Sequence, residues 1–244
     1  MNISLSGKRV LITGAGRGIG RALAIRAAAC GGHVIALSKT QENLDTLKAE
    51  CPSVETVACD LSDWEATRKA VEALGPVDCL VNNAGTNTLN KFLDVAPSEF
   101  DDVMNINLKS VFNVSQVVAR GMIARGAGGA IVNISSQASV RPLHGHAVYC
   151  ASKAALDHLT RVMTLELGPK GIRVNCVNPT VVLTDLGRSH WSDPARAEPM
   201  LRAIPMGRFA EVEDVLGSVI FLLSDHAALI SGVTLPVDGG FTAC

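Results

Sequence analysis

Val10-Leu11-Ile12-Thr13-Gly14-Ala15-Gly16-Arg17-Gly18-Ile19-Gly20 passes from a short β-branched apolar run, through a glycine-rich turn, into a segment of helical pattern. Glycines in a strand-to-helix turn let the backbone approach a pyrophosphate and leave N–H groups at the positive end of the helix dipole. The turn follows the first strand of the chain rather than standing alone, so a dinucleotide is its expected guest. A tight turn that binds nothing is the other reading.

Outward from this turn the chain repeats the same unit. Nearly continuous apolar runs at 10–13, 34–37, 54–58, 79–81, 130–134, 173–177 and 234–237 read as strands covered on both faces. Helical patterns fill 18–30, 41–50, 63–74, 98–124, 148–167 and 212–223. Ser62 with Glu65 reads as a capping box, and Gly31-Gly32, Gly75-Pro76 and Gly168-Pro169 stand where helices should stop. Strict alternation of strand and helix predicts an α/β fold: a doubly wound parallel sheet with right-handed crossovers and helices on both faces. The least regular stretch, 178–205, reads as a loop with one short helix, a candidate lid.

Composition sets the outer bounds. With 244 residues, 48% hydrophobic and 18% charged, the chain fits a single domain over 1–244. Its net charge is −1 and its Lys and Arg are scattered, which argues against nucleic acid or an anionic membrane as partner. Seven cysteines, widely spaced and without a Cys-x-x-Cys pair, argue against a disulfide framework or zinc site and for a reducing, cytoplasmic location. No apolar run approaches the ~20 residues of a transmembrane helix. The run after Lys8-Arg9 is too short for a signal-peptide core. No His/Cys/Asp set has metal-ligand spacing, so no metal is expected.

Chemistry concentrates between Asn133 and Lys153. Tyr149 is the only tyrosine, and Lys153 lies four residues on in a helical pattern, so the two side chains share a face. An ammonium beside a phenol favours the phenolate and brings the group toward acid–base work near neutral pH. A surface helix pair is the plain alternative.

Gly14, Gly18 and Gly20, then Asn82-Asn83-Ala84-Gly85, then Tyr149-x-x-x-Lys153 occur in this order over essentially the whole chain and resemble the short-chain dehydrogenase/reductase family. The resemblance implies a Rossmann-type fold, a nicotinamide cofactor and four catalytic residues. Ser136 would hydrogen-bond the substrate oxygen, and Tyr149 would pass a proton to or from it. Lys153 would lower the Tyr149 pKa and hold the nicotinamide ribose, and Asn107 would keep a water path to Lys153. The resemblance also implies cofactor contacts at Gly14, Arg17, Gly18, Ile19 and Gly20, at Ser38, Lys39 and Thr40, at Asp60 and Leu61, and at Asn83 and Gly85. Tyr149, Lys153, Pro179, the Val182 backbone and the Thr184 hydroxyl complete that set. Ordinary roles stand beside these: Ser136 as a turn cap, Asn107 as a buried amide, Asp60 as a helix cap.

Charge argues for NADP(H). The second strand ends Ser38-Lys39-Thr40 without an acid to accept a ribose 2′-hydroxyl, whereas Lys39 and Arg17 could bracket a 2′-phosphate; two solvated cations are the alternative. The polar groups between Ser136 and Tyr149 suit a small polar carbonyl. The wider family commonly has Pro-Gly where this chain has Pro179-Thr180. That departure, with Ser135-Ser136-Gln137 and Trp191-Ser192-Asp193-Pro194, fits the branch that reduces L-xylulose and α-dicarbonyls, although 82–86 and 140–145 differ from it. The match implies substrate contacts at Ser136, Gln137, Leu143, His146 and Trp191, with NADPH-dependent reduction of small polar ketones and α-dicarbonyls as the activity. It further implies a homotetramer paired through the helices at 98–124 and 148–167. Two alternatives are a 3-oxoacyl carrier-protein reductase, for which Arg120 and Arg125 are the candidate basic patch, and a non-catalytic NADP-binding sensor or scaffold, which would have a damaged catalytic set.

Overall fold

A computed structural model describes residues 3–244, with the backbone alone at 186 and 190. Among the described residues, strands β1 (Arg9–Thr13), β2 (His33–Ser38), β3 (Glu55–Ala58), β4 (Cys79–Asn82), β5 (Gly129–Ile134), β6 (Ile172–Pro179) and β7 (Thr234–Val237) form one parallel sheet. Its order is β3-β2-β1-β4-β5-β6-β7. The chain builds outward from β1 to β3, returns to β4 beside β1, then builds the other way. The connections after β1 and β4 therefore diverge, and a crevice opens at the carboxyl ends of the strands.

Alternation along each strand assigns side chains to two layers. Val10 and Ile12 of β1 face one cluster and Leu11 the other. The first layer packs on helices α1 (Gly18–Ala29) and α2 (Gln41–Glu50), with Leu23 and Leu44 fully buried. The second packs on α3 (Trp64–Glu72), α5 (Ser110–Arg125) and α6 (Ala147–Leu167), through Val71, Val114, Met122 and Met163 among others, while α4 (Pro97–Met104) packs on α6. Two short helices, α7 (Asp185–His190) and α8 (Pro194–Arg202), lie between β6 and α9 (Val212–Leu223), and α9 returns to the first layer. A third, smaller cluster of Met200, Ile204, Phe209 and Phe241 joins α8 to the C-terminal segment.

Three local expectations are corrected. The helix expected over 98–124 is broken by a π turn, Asn105–Lys109, between α4 and α5. The buried Asn107 side chain exchanges hydrogen bonds with the Thr86 backbone, tying the turn to the loop after β4, and the Ser110 hydroxyl donates to the Ile106 carbonyl at 2.6 Å within the turn. The cap of α3 is Asp63, which accepts from the Ala66 N–H at 2.9 Å, because Ser62 is held instead by Asp60. Helix α6 ends at Leu167 with Gly168 as its C-cap, as expected, and the chain runs on into a 3₁₀ turn, Gly168–Lys170. The stretch 178–205 holds two helices, started by Thr184, whose hydroxyl accepts from the Gly187 N–H, and by Asp193 followed by Pro194.

Among the described residues no helix is long and apolar enough to cross a membrane. No group of three or more His, Cys, Asp or Glu among them could hold a metal ion.

Candidate active site

The glycine turn after β1 is packed too tightly for any side chain at two positions. A Cβ on Gly20 would lie 2.4 Å from both the Gly14 carbonyl and Asn83 Nδ2, and one on Gly14 would lie 2.8 Å from Ala84 Cα at a φ of +65°. Thr13 Oγ1 accepts from the N–H groups of Asn83 and Ala84, and Asn83 Nδ2 donates to the Thr13 and Gly14 carbonyls. The turns after β1 and β4 are thereby laced into one floor. No side chain caps α1, whose N-cap Arg17 is extended and exposed, so first-turn N–H groups face the crevice as an anion cradle. Gly18 adjoins the Thr184 methyl, and Gly16 lies against Ser38. These residues fit the diphosphate of a dinucleotide.

Beyond Ser38 the structure adds an ion pair that sequence reasoning missed. Lys39 Nζ lies 2.7 Å from Asp60 Oδ2. The hydrogen bond and charge of Lys39 hold the Asp60 carboxyl below its usual range, and Asp60 raises Lys39. Asp60 also accepts from the Ser62 N–H and hydroxyl. Thr40 is exposed beside Lys39, and Leu61 is buried in the second layer.

The catalytic candidates converge where β5 ends. Ser136 Oγ accepts from the Ala138 N–H at 3.1 Å, and its hydroxyl hydrogen-bonds the Tyr149 phenol. Lys153, buried to 4% exposure, donates to the Ile134 carbonyl at 2.8 Å and lies 5.7 Å from the centre of the Tyr149 ring. Asn107 donates to Ser152, the residue before Lys153, at 3.0 Å. The expected lowering of the Tyr149 pKa is not found: burial pushes the phenol above its ordinary value, with the Ser136 hydrogen bond pulling against it. Lys153 bears the opposite effect, and burial lowers it to about 8. Near neutral pH the pair is thus a protonated phenol beside a mostly charged ammonium, a state suited to donating a proton.

A cleft of about 470 Å³ opens over these groups. Its walls include all five expected substrate contacts, Ser136, Gln137, Leu143, His146 and Trp191, and the expected cofactor residues Ile19, Asn83, Gly85, Pro179, Val182 and Thr184. Gly14, Arg17, Gly18, Gly20, Ser38, Lys39, Thr40, Asp60 and Leu61 do not line it; they belong to the turn after β1 and the ends of β2 and β3. Gln137 Oε1 and Thr180 Oγ1 are buried without a hydrogen-bond partner. His146 Nδ1 engages the His144 carbonyl at 2.9 Å, its ring edge-on to Tyr149, while Trp191 packs on Phe209 at 5.4 Å. Thr86, Asn87, Leu89 and Val181 also line the cleft and were not anticipated as site residues. Their only signal is adjacency to Asn82-Asn83-Ala84-Gly85 and Pro179-Thr180. Arg120 and Arg125 lie far from the cleft, with Val77 at the other end of β4, and Arg125 is bound to the Val77 carbonyl and Asp78.

Comparison with known proteins agrees with this geometry. The protein-family model described as enoyl-(acyl carrier protein) reductase matches residues 14–242. The chain is 58% identical over 241 residues to an L-xylulose reductase of Mesocricetus auratus, covering 99% of each. It is 50% identical over 243 residues to carbonyl reductase [NADPH] 2 of Sus scrofa, covering 100% of each. A crystal structure of a gluconate 5-dehydrogenase from Burkholderia cenocepacia, in complex with NADP and tartrate, superimposes with a TM-score of 0.95 at 35% identity, over 100% of this chain and 98% of that one. A family model reaching from the glycine turn almost to the last residue, and relatives this similar along their whole length, mean that the chain belongs to the short-chain dehydrogenase/reductase family of nicotinamide-dependent oxidoreductases.

Proposed function

We propose that this protein is an NADPH-dependent carbonyl reductase acting on small polar ketones and α-dicarbonyls, L-xylulose and diacetyl among them. One observation carries the reading: Ser136, a Tyr149 phenol that burial favours in its protonated form, and the buried Lys153 line one cleft at the carboxyl ends of the strands. Bound NADPH supplies the hydride that adds to the carbonyl carbon. The Ser136 hydroxyl, whose oxygen is engaged by the Ala138 N–H, keeps its own proton for the substrate oxygen. Tyr149 delivers its proton to that oxygen, so that hydride and proton together give the alcohol. Lys153 then lies ready to stabilise the phenolate and hold the ribose, and Asn107 keeps the water path through which the phenol recovers its proton. The unpartnered Gln137 Oε1 suits a substrate hydroxyl, and Leu143, His146 and Trp191 complete the wall.

The 2′-phosphate falls to Arg17 and Lys39. The Lys39 side chain, 74% exposed, can turn from Asp60 to the phosphate. A carrier-protein substrate is disfavoured by Arg120 and Arg125, which lie at the opposite end of the sheet from the cleft. An idle sensor is disfavoured by an intact Asn107, Ser136, Tyr149 and Lys153 set. A cytoplasmic location fits seven unpaired cysteines. Exposed Phe112 and Ile123 on α5, with Val162 and Leu165 on α6, fit a homotetramer paired through these helices.

The test is the initial rate of NADPH and, separately, NADH oxidation with L-xylulose, diacetyl and an acetoacetyl thioester. Turnover of the first two with NADPH is expected. Turnover of the thioester alone would replace the reading with acyl-chain reduction, and tight NADPH binding without turnover would favour the sensor.

A further inference from the structure

One buried acid has no place in the chemistry above. Asp157, 5% exposed, lies one helical turn beyond Lys153 on α6. Its two oxygens accept from Asn178 Nδ2 at 3.2 and 3.0 Å. The same amide donates to the Ser136 carbonyl at 3.0 Å and to Ser139 Oγ at 2.8 Å, the two ends of the loop that presents the Ser136 hydroxyl. Asp157 also hydrogen-bonds the Cys176 thiol, which contacts Thr160 at 3.0 Å, and Thr160 accepts from Asn133. A carboxylate this deep is costly unless opposite charge or several donors balance it. Lys153 has the converse need, with only the Ile134 carbonyl as a hydrogen-bond partner.

We propose that Asp157 is a positioning residue of the catalytic centre: its carboxylate, bound by the Asn178 amide and one helical turn from Lys153, fixes the Ser136 loop and balances the lysine charge. The proposal rests on the reductase reading and deepens it. The titratable groups facing Lys153 are Tyr149 and Asp157 on α6 and Cys176 on β6. From the loop after β4 and the π turn it meets the neutral Gly85 and Asn107. Cys176 and Asp157 both favour the charged form of Lys153, and Asp157 is the one carboxylate among these groups, so its removal favours loss of the lysine proton.

The experiment measures kcat and kcat/KM against pH for L-xylulose reduction by wild type, Asp157→Asn and Asp157→Glu. Wild-type turnover is read first, so that failure of the reductase reading is seen separately. In Asp157→Asn the alkaline limb should move down by about one pH unit, and Asp157→Glu should move it back toward wild type. An alkaline limb coincident with wild type in folded Asp157→Asn overturns the proposal, even if the variant melts earlier, because a purely structural acid would alter stability alone. Should Asp157→Asn not accumulate as folded protein, Asp157→Ser carries the same test. Loss of folding in both neutral variants would assign the carboxylate to folding and overturn the positioning role.

Discussion

Replacing Tyr149 by Phe removes one oxygen and leaves the ring. That ring keeps its edge-on contact with His146, 6.3 Å between centroids, and the Lys153 ammonium 5.7 Å from its centre. Cofactor binding should therefore change little. Two things are lost. The Ser136 hydroxyl loses its partner, worth about 1 kcal/mol in a half-buried site, which translates to a fall of about 2–4 °C in melting temperature for a domain of this size. The proposed proton donor is lost as well, and general acid catalysis by a placed side chain contributes roughly 10²–10⁴-fold. At about 1.4 kcal/mol per decade the barrier rises by about 3–5 kcal/mol, several times the stability change. The assay is kcat for L-xylulose reduction beside a fluorescence titration of NADPH. A kcat within tenfold of wild type, with the melting temperature lowered as expected, would show that the proton comes from elsewhere and would refute the acid role of Tyr149.

Because Tyr149 is the sole tyrosine, ultraviolet titration of the tyrosinate band reports this group alone. The band should appear above pH 10, since burial raises the phenol, and its appearance below pH 9 would contradict that. Lys153 is lowered to about 8 from an ordinary 10.5. The unfolded chain therefore binds more protons between about pH 8 and 10.5, and the Lys153 contribution to stability should rise with pH across that window while reduction slows. Comparing wild type with Lys153→Met in denaturant melts at pH 7.5 and 9.5 checks it, and an equal pH response of the two would discount Lys153. For the cofactor, Lys39→Asp should weaken NADPH relative to NADH. Asp60→Asn, which frees Lys39, should strengthen it; unchanged ratios of KM in both variants would remove Lys39 from phosphate recognition. Gly20→Ala forces a Cβ to 2.4 Å from backbone and amide atoms, and should cost about 1–3 kcal/mol in denaturant unfolding with a raised KM for NADPH; wild-type values for both would show that the turn yields freely.

The regular fold could be read from the chain because its signals are local. A both-faced parallel strand is a short continuous apolar run, and the seven runs each became a strand of the sheet. Motifs fixed by backbone need, such as Gly14 and Gly20, were legible for the same reason. Caps were less so. Ser62 and Asp63 are both competent N-caps, and the choice was made by Asp60, which had already engaged Ser62. The π turn was hidden because 98–124 carries an uninterrupted helical pattern, whereas the partners of Asn107, Thr86 and Ser152, lie far off in sequence.

By itself the sequence determined which residue types stand at the ends of β1, β4, β5 and β6, and hence that a glycine cradle, a serine and a Tyr–Lys pair share one crevice. Tertiary structure alone decided the electrostatics. Whether Lys153 lowers Tyr149 depends on how much water each loses, and burial outweighs proximity here. Partners distant in sequence, Lys39 with Asp60 and Asp157 with Asn178, meet only when the sheet brings strand ends side by side. Desolvation and long-range pairing are properties of the packed molecule, and no local pattern of residues encodes them.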